Sequence, residues 1–172
     1  MSAEPVGELH RGFSAEVATP TPWADVERRL DDADIAWLST VRPDGRPHVT
    51  PVIFVWLDGA VYVTTGPDER KAKNLASNAH CVLTTGCNTL EDGLDVVIEG
   101  EALRVTEPTP LHNVAGAFAA KYLPRDAASV FHEGLRDGTF ITEGGTTALF
   151  EVRPETAFGF GKGAFSQTRW RF

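Results

Sequence analysis

Two Asp-Gly steps, at residues 44–45 and 58–59, divide the stretch IAWLSTVRPDGRPHVTPVIFVWLDGAVYVTT (residues 35–65) into three runs rich in β-branched and aromatic side chains. Glycine takes the positive φ of a tight turn without a Cβ penalty, so Asp-Gly between such runs is the strongest short-range hairpin signal. The pattern predicts a three-stranded antiparallel meander.

Its middle run, Pro47 to Leu57, is unusual. Alternation puts Val49, Pro51, Ile53 and Val55 on one face and His48, Thr50, Val52, Phe54 and Trp56 on the other, so neither face is clearly solvated. A strand apolar on both sides suits a closed barrel or a sheet covered on both faces. Pro51 cannot donate to a ladder, which predicts a bulge or an unpaired edge where something else can approach.

The rest of the chain supplies further strands and a few helices. TPTPW (residues 19–23) offers Thr21 as an N-cap with Pro22 at the first helical position, predicting a helix through Leu30, and Thr109-Pro110 repeats that start for a helix through Tyr122. A short helix is expected from Glu69 to Ser77 and another from Asp126 to Arg136. HCVLTTG, GLDVVIEGEALRVT with a bend at Gly100, TALFEVRP and TAFGFG read as strands, and TRWRF closes the chain. Residues 1–20 read as a loose, flexible arm and 21–172 as one domain. The sum is a mainly β fold with peripheral helices: a small barrel of about six to seven antiparallel strands.

The chain has 172 residues, enough for one domain with a substantial core, and a formal net charge of −8. That acidity argues against a nucleic-acid or membrane-surface binder, which needs a broad basic field. No run reaches the roughly 20 apolar residues that span a bilayer, and the N-terminus lacks the order of a signal peptide, so a cytoplasmic location is expected. Cys81 and Cys87 form no CxxC or Cys/His cluster, so no metal site is expected and both read as idle thiols. His10, His80, His112 and His132 show no ligand spacing, and no Ser/His/Asp or paired-carboxylate arrangement marks a catalytic group.

Against this acidity, TGPDERKAKNL (residues 65–75) concentrates Arg70, Lys71 and Lys73 in the first turns of a helix that follows a strand. Cations at the positive end of a helix dipole are unfavourable unless an anion compensates them. Thr64 and Thr65 add hydroxyl donors, and Gly66 lets the backbone approach, so a phosphate ester fits. Spacing alone leaves open a solvated helix face with Asp68 and Glu69 as salt-bridge partners.

From LSTVRPDGRPHVTPV through TTGPDERKAKNLASNAHCVLTT, the chain resembles the pyridoxamine 5'-phosphate oxidase-like, flavin-binding split-barrel superfamily over about Ile35 to Val105. The resemblance implies that Arg70 and Lys71 hold the flavin phosphate, with Lys73 and Asn74 as helpers. It also implies that His48, Val49, Thr50 and Pro51 line the ring and ribityl chain. Thr64 and Thr65 would bond the ribityl or phosphate, and Trp170, in the tail QTRWRF, would cover the ring. It further implies a homodimer with cofactor sites shared between subunits, and hydride transfer to or from a small molecule. FMN is the expected cofactor. The use of four lysines against twelve arginines suggests a GC-rich genome, and actinobacterial relatives often use the deazaflavin F420 instead. True pyridoxamine-phosphate oxidases grip substrate phosphate with C-terminal arginines, of which this chain offers Arg169 and Arg171, so that activity is not expected. A flavin- or haem-binding module without turnover is the alternative.

Overall fold

A computed structural model describes residues 4–122, 135–136, 139–142 and 145–172. Its elements run β1 (Glu8–Leu9), α1 (Trp23–Asp32), β2 (Ala36–Val41), β3 (Pro47–Val52), β4 (Phe54–Leu57), β5 (Ala60–Thr65), α2 (Arg70–Ser77), β6 (His80–Thr85), β7 (Leu94–Val105), α3 (Pro108–Tyr122), β8 (Leu135–Arg136), β9 (Thr139–Thr142), β10 (Gly145–Gly161) and β11 (Ser166–Arg171). The described strand pairs are all antiparallel.

The expected meander is broken at Ile53. β3 pairs with β2, whereas β4, its direct continuation, pairs with β5. The hydrogen-bonded path therefore runs from β3 through β2, β6, β7, β10 and β5 to β4, and its two ends are joined by the chain rather than by a ladder. This is a split barrel. Tyr122 stitches the split: its hydroxyl accepts from the Phe54 N–H at 3.0 Å and lies 2.8 and 2.9 Å from the carbonyl oxygens of Asp34 and Phe54, one of which takes its proton. A strand that leaves one partner for another strands backbone groups, and buried ones need such a substitute.

The split also explains the doubly apolar sequence. Phe54, Val61 and Val63 face the barrel interior with Leu38, Leu83, Ile98 and Val152, and α1 adds Trp23, Val26 and Leu30 to that core. Val55, Ala60 and Tyr62, on the other face, are covered by Leu111, Val114, Phe118 and Tyr122 of α3. The outward face of β3 has no such cover among the described residues.

The sequence expectations are refined in four places. The two expected last strands are a single one, β10, bent where its register to β7 slips between Pro154 and Thr156. Gly100 faces Pro154 there, and a Cβ on it would lie 2.2 Å from the Arg153 carbonyl oxygen, so the expected bend is a close approach that only glycine allows. α1 starts at Trp23 with Pro22 at its N-cap and no side-chain cap, while the Thr21 N–H donates to the Thr168 hydroxyl at 2.9 Å. α3 begins at Pro108, and Pro110 falls in its first turn, where the missing N–H has no intrahelical partner to lose. Of the helix expected over 126–136, residues 126–134 lie outside the described residues, and Leu135–Arg136 is a short strand.

The expected loose arm is docked from residue 8 onward. Glu8 and Leu9 pair with β11, the Ala15 N–H donates to the Phe165 carbonyl at 2.7 Å, and Glu8 binds Arg169 at 2.6 Å. β11 would otherwise be an edge, and the arm covers it. No described helix is long and apolar enough to cross a membrane.

Candidate functional site

α2 follows β5 directly, with Glu69 at its N-cap, and its helical period turns Lys71, Asn74 and Leu75 inward. Leu75 joins the barrel core. Lys71 is only 8% exposed and Asn74 fully buried, a placement that is rare for lysine without a partner. Lys71 pairs with the Glu69 carboxylate, whose other oxygen accepts the Gly66 N–H at 2.8 Å. Asn74 donates through Nδ2 to the Thr40 hydroxyl at 2.9 Å.

Across the β2–β3 ladder, Thr40 stands opposite His48 and Leu38 opposite Thr50, so His48 and Thr50 share the face of Thr40. His48 Nδ1 lies 3.5 Å from the Thr40 hydroxyl. Arg42, one pleat beyond Thr40 on that same face, completes the corner. Burial holds the His48 imidazole below its usual pKa, and the cations Arg42, Lys71 and Arg70 push it in the same direction. It is therefore neutral at pH 7, and three cations converge on it.

This corner is short of partners. Thr50 Oγ1, Asn74 Oδ1 and Arg42 Nε are buried without a hydrogen-bond partner, and neither Arg42 nor Arg70 has a carboxylate partner among the described residues. Unsatisfied buried polar atoms are uncommon, and these three lie along the one face that carries Thr40 and His48 or on the helix packed beside it. The residues fit a flavin phosphate and its hydroxylated chain: an anion would take the surplus donors, and hydroxyls would supply the proton that Asn74 Oδ1 lacks.

The structure divides the residues expected from sequence. Lys71, Asn74, His48 and Thr50 come together, with the exposed Arg70 at the rim. Lys73 points to solvent, 3.9 Å from Asp68, as in the solvated-face reading. Thr65 is buried and donates to the Gly66 carbonyl at 3.3 Å, while Thr64, opposite Leu149, lies on the other face of β5. Val49 and Pro51 also face away, beside Trp37 and Val41 on an exposed surface.

Trp170 is corrected. It is 1% exposed, inside the core, with its ring 5.3 Å from that of Trp23, and it pairs with Ala157 in the β10–β11 ladder. Alternation along β11 turns Ser166, Thr168 and Trp170 inward together, so this indole cannot cover a cofactor. Cys81 is buried, which pushes its thiol up to about 12 and keeps it inert.

Arg42 was missed by the sequence reading, in which RPDGR served only as a turn. The available signal was its spacing, two residues beyond the inward-facing Thr40 at the end of β2.

The sequence profile described as Pyridoxamine 5'-phosphate oxidase matches residues 23–158, which include this whole corner. The chain belongs to the pyridoxamine 5'-phosphate oxidase family. Within it, the pyridoxine/pyridoxamine 5'-phosphate oxidase of Pseudomonas fluorescens (strain Pf0-1) is 31% identical over 127 residues, covering 69% of this chain; the match spans 55% of the relative, little more than half its length. Among solved structures, a heme binding protein from Mycobacterium smegmatis superposes with a TM-score of 0.66 at 16% identity, over 88% of this chain and 59% of that one. A conserved hypothetical protein from Mycobacterium tuberculosis gives 0.66 at 18% identity, over 86% and 89%. An F420 reductase gives 0.52 at 23% identity, over 76% and 94%. At these identities the structural neighbours establish the fold, and the family rests on the sequence profile.

Proposed function

We propose that this member of the pyridoxamine 5'-phosphate oxidase family is a flavin-dependent oxidoreductase that holds FMN, or the deazaflavin F420, by its phosphate at the corner of Arg42, Arg70 and Lys71. The observation that carries this reading is the convergence of those cations on His48, with Thr50 Oγ1 and Asn74 Oδ1 buried and unpartnered, beside β3, whose free edge leaves backbone groups available to a planar ring. The bound ring supplies hydride transfer. The chain's part is to bind and orient it: Arg70 and Lys71 neutralise the phosphate, Asn74 and Thr50 meet polar atoms of the sugar-like chain, and neutral His48 offers a hydrogen bond without adding charge. No proton-transferring residue is assigned, and the substrate is an unidentified small molecule.

In this reading the outward face of β3 meets a second copy of the chain in the cytoplasm, so that each site draws on both subunits. Trp37 is 48% exposed and Val49 52%, with Val41 and Pro51 beside them, and such an apolar patch on one sheet face suits an isologous contact. Val49→Asp is expected to shift the purified protein from dimer to monomer in size-exclusion chromatography and to weaken flavin binding with it. A wild-type protein that elutes as a monomer while binding flavin fully would refute the shared site.

The cofactor itself is tested by an absorbance spectrum of the purified protein, followed by titration with FMN and then F420. Saturable binding of either supports an oxidoreductase of that cofactor. Uptake of haem alone, with both flavins refused, would replace this reading with a binding module that has no turnover.

A further inference from the structure

The start of α2 already holds an anion, and it belongs to the chain. Glu69 turns back over the helix end so that Oε1 accepts the Gly66 N–H at 2.8 Å while Oε2 pairs with Lys71. A Cβ on Gly66 would stand 3.1 Å from that Oε1, so the carboxylate rests directly on glycine backbone. Burial alone would raise the Glu69 carboxyl, but Lys71, the Gly66 N–H and the Thr65 hydroxyl outweigh it and hold it below its usual value. The carboxylate is thus bound as an anion ligand is bound, by a backbone N–H of the loop that leads into the helix and by a buried ammonium.

Its surroundings are not satisfied by it. Asn74, one turn along the inward face from Lys71, leaves Oδ1 without a partner, Arg42 leaves Nε so, and Arg42 and Arg70 have no carboxylate among the described residues. The Glu69 carboxylate engages Lys71 alone of the three cations that act on His48, where a phosphate ester would bring more oxygens and more charge.

We propose that Glu69 is a resident stand-in for the cofactor phosphate: its carboxylate takes the donors of Gly66 and Lys71 in the cofactor-free chain and leaves them when a phosphate arrives. This rests on the phosphate site proposed above. Glu69 keeps the buried Lys71 paired while the site is empty, at the expense of affinity when it fills. It also sets specificity, since a neutral flavin without phosphate gives the carboxylate no reason to leave.

The test compares wild type with Glu69→Gln, which keeps an oxygen for the Gly66 N–H but removes the charge that holds Lys71. FMN and riboflavin are titrated by quenching of flavin fluorescence, with inorganic phosphate as competitor. The variant is expected to bind FMN about tenfold more tightly, to bind riboflavin as wild type does, and to be displaced by less phosphate. Its cofactor-free form is expected to melt at a lower temperature, because an unpaired buried ammonium is left behind. Should Glu69→Gln not fold, Glu69→Ser carries the same expectation, since serine is a favoured N-cap. Equal or weaker FMN binding by the variant, with wild type binding FMN well, would overturn the role of Glu69 and leave the phosphate site standing. Failure of both proteins to bind FMN, F420 or phosphate would overturn the two together.

Discussion

Replacing Arg70 and Lys71 together by alanine is expected to weaken FMN binding by roughly two to four orders of magnitude while leaving riboflavin binding within a few-fold of wild type. Each charge-assisted hydrogen bond to a phosphate contributes about 1.5–3 kcal/mol, and about 1.4 kcal/mol is a factor of ten in affinity. The two positions differ in kind. Arg70 is exposed at the rim, where solvent screens it, whereas Lys71 is 8% exposed and works from a low-dielectric position. Lys71→Ala alone is therefore expected to cost more than Arg70→Ala, and Arg42→Gln to fall between them, since its guanidinium is half-buried. Titrations at rising salt should show a shallower loss of affinity for each cation removed. Unchanged FMN affinity in the double variant would refute the phosphate site, whatever the riboflavin result.

Trp170→Ala is expected to lower unfolding stability by about 3–5 kcal/mol and to leave flavin affinity nearly unchanged once the variant is folded. The indole fills the core against Trp23, and a Cβ on Gly159 or Gly7 would lie 2.8 or 2.9 Å from its ring, so it is packed directly against glycine backbone. Large-to-small changes at such sites leave a cavity as well as losing transfer energy. In a chain of this length that loss corresponds to a fall in melting temperature of roughly 6–20 °C. A variant of wild-type stability that loses flavin would restore the reading of the tail as a cover for the ring.

Arg169 and Arg171, the only arginines of that tail, are engaged by Glu8 of the N-terminal arm, at 2.6 and 3.9 Å. The sequence reading set them aside as substrate-phosphate ligands for lack of numbers.

What the sequence by itself determined was local. Asp-Gly turns, the strand-glycine-helix passage at 64–70 and the run RKAKNL are each encoded within a few neighbouring residues, because a positive φ, a helix period and a charge near a helix end need no distant partner. These placed the barrel strands, α2 and the pair Arg70 and Lys71. Pro51 was legible for the same reason: a missing N–H forbids an inner ladder wherever the strand ends up, and β3 is indeed the edge. What only the tertiary structure decided depends on which strand pairs with which and in what register. The change of partner at Ile53, the meeting of α2 with β2 through Asn74 and Thr40, and the burial of Trp170 beside Trp23 each join residues far apart in the chain. Even Glu69 and Lys71, two residues apart, needed the fold, because it is the packing of α2 against β2 that buries Lys71 beside the half-exposed Glu69 carboxylate.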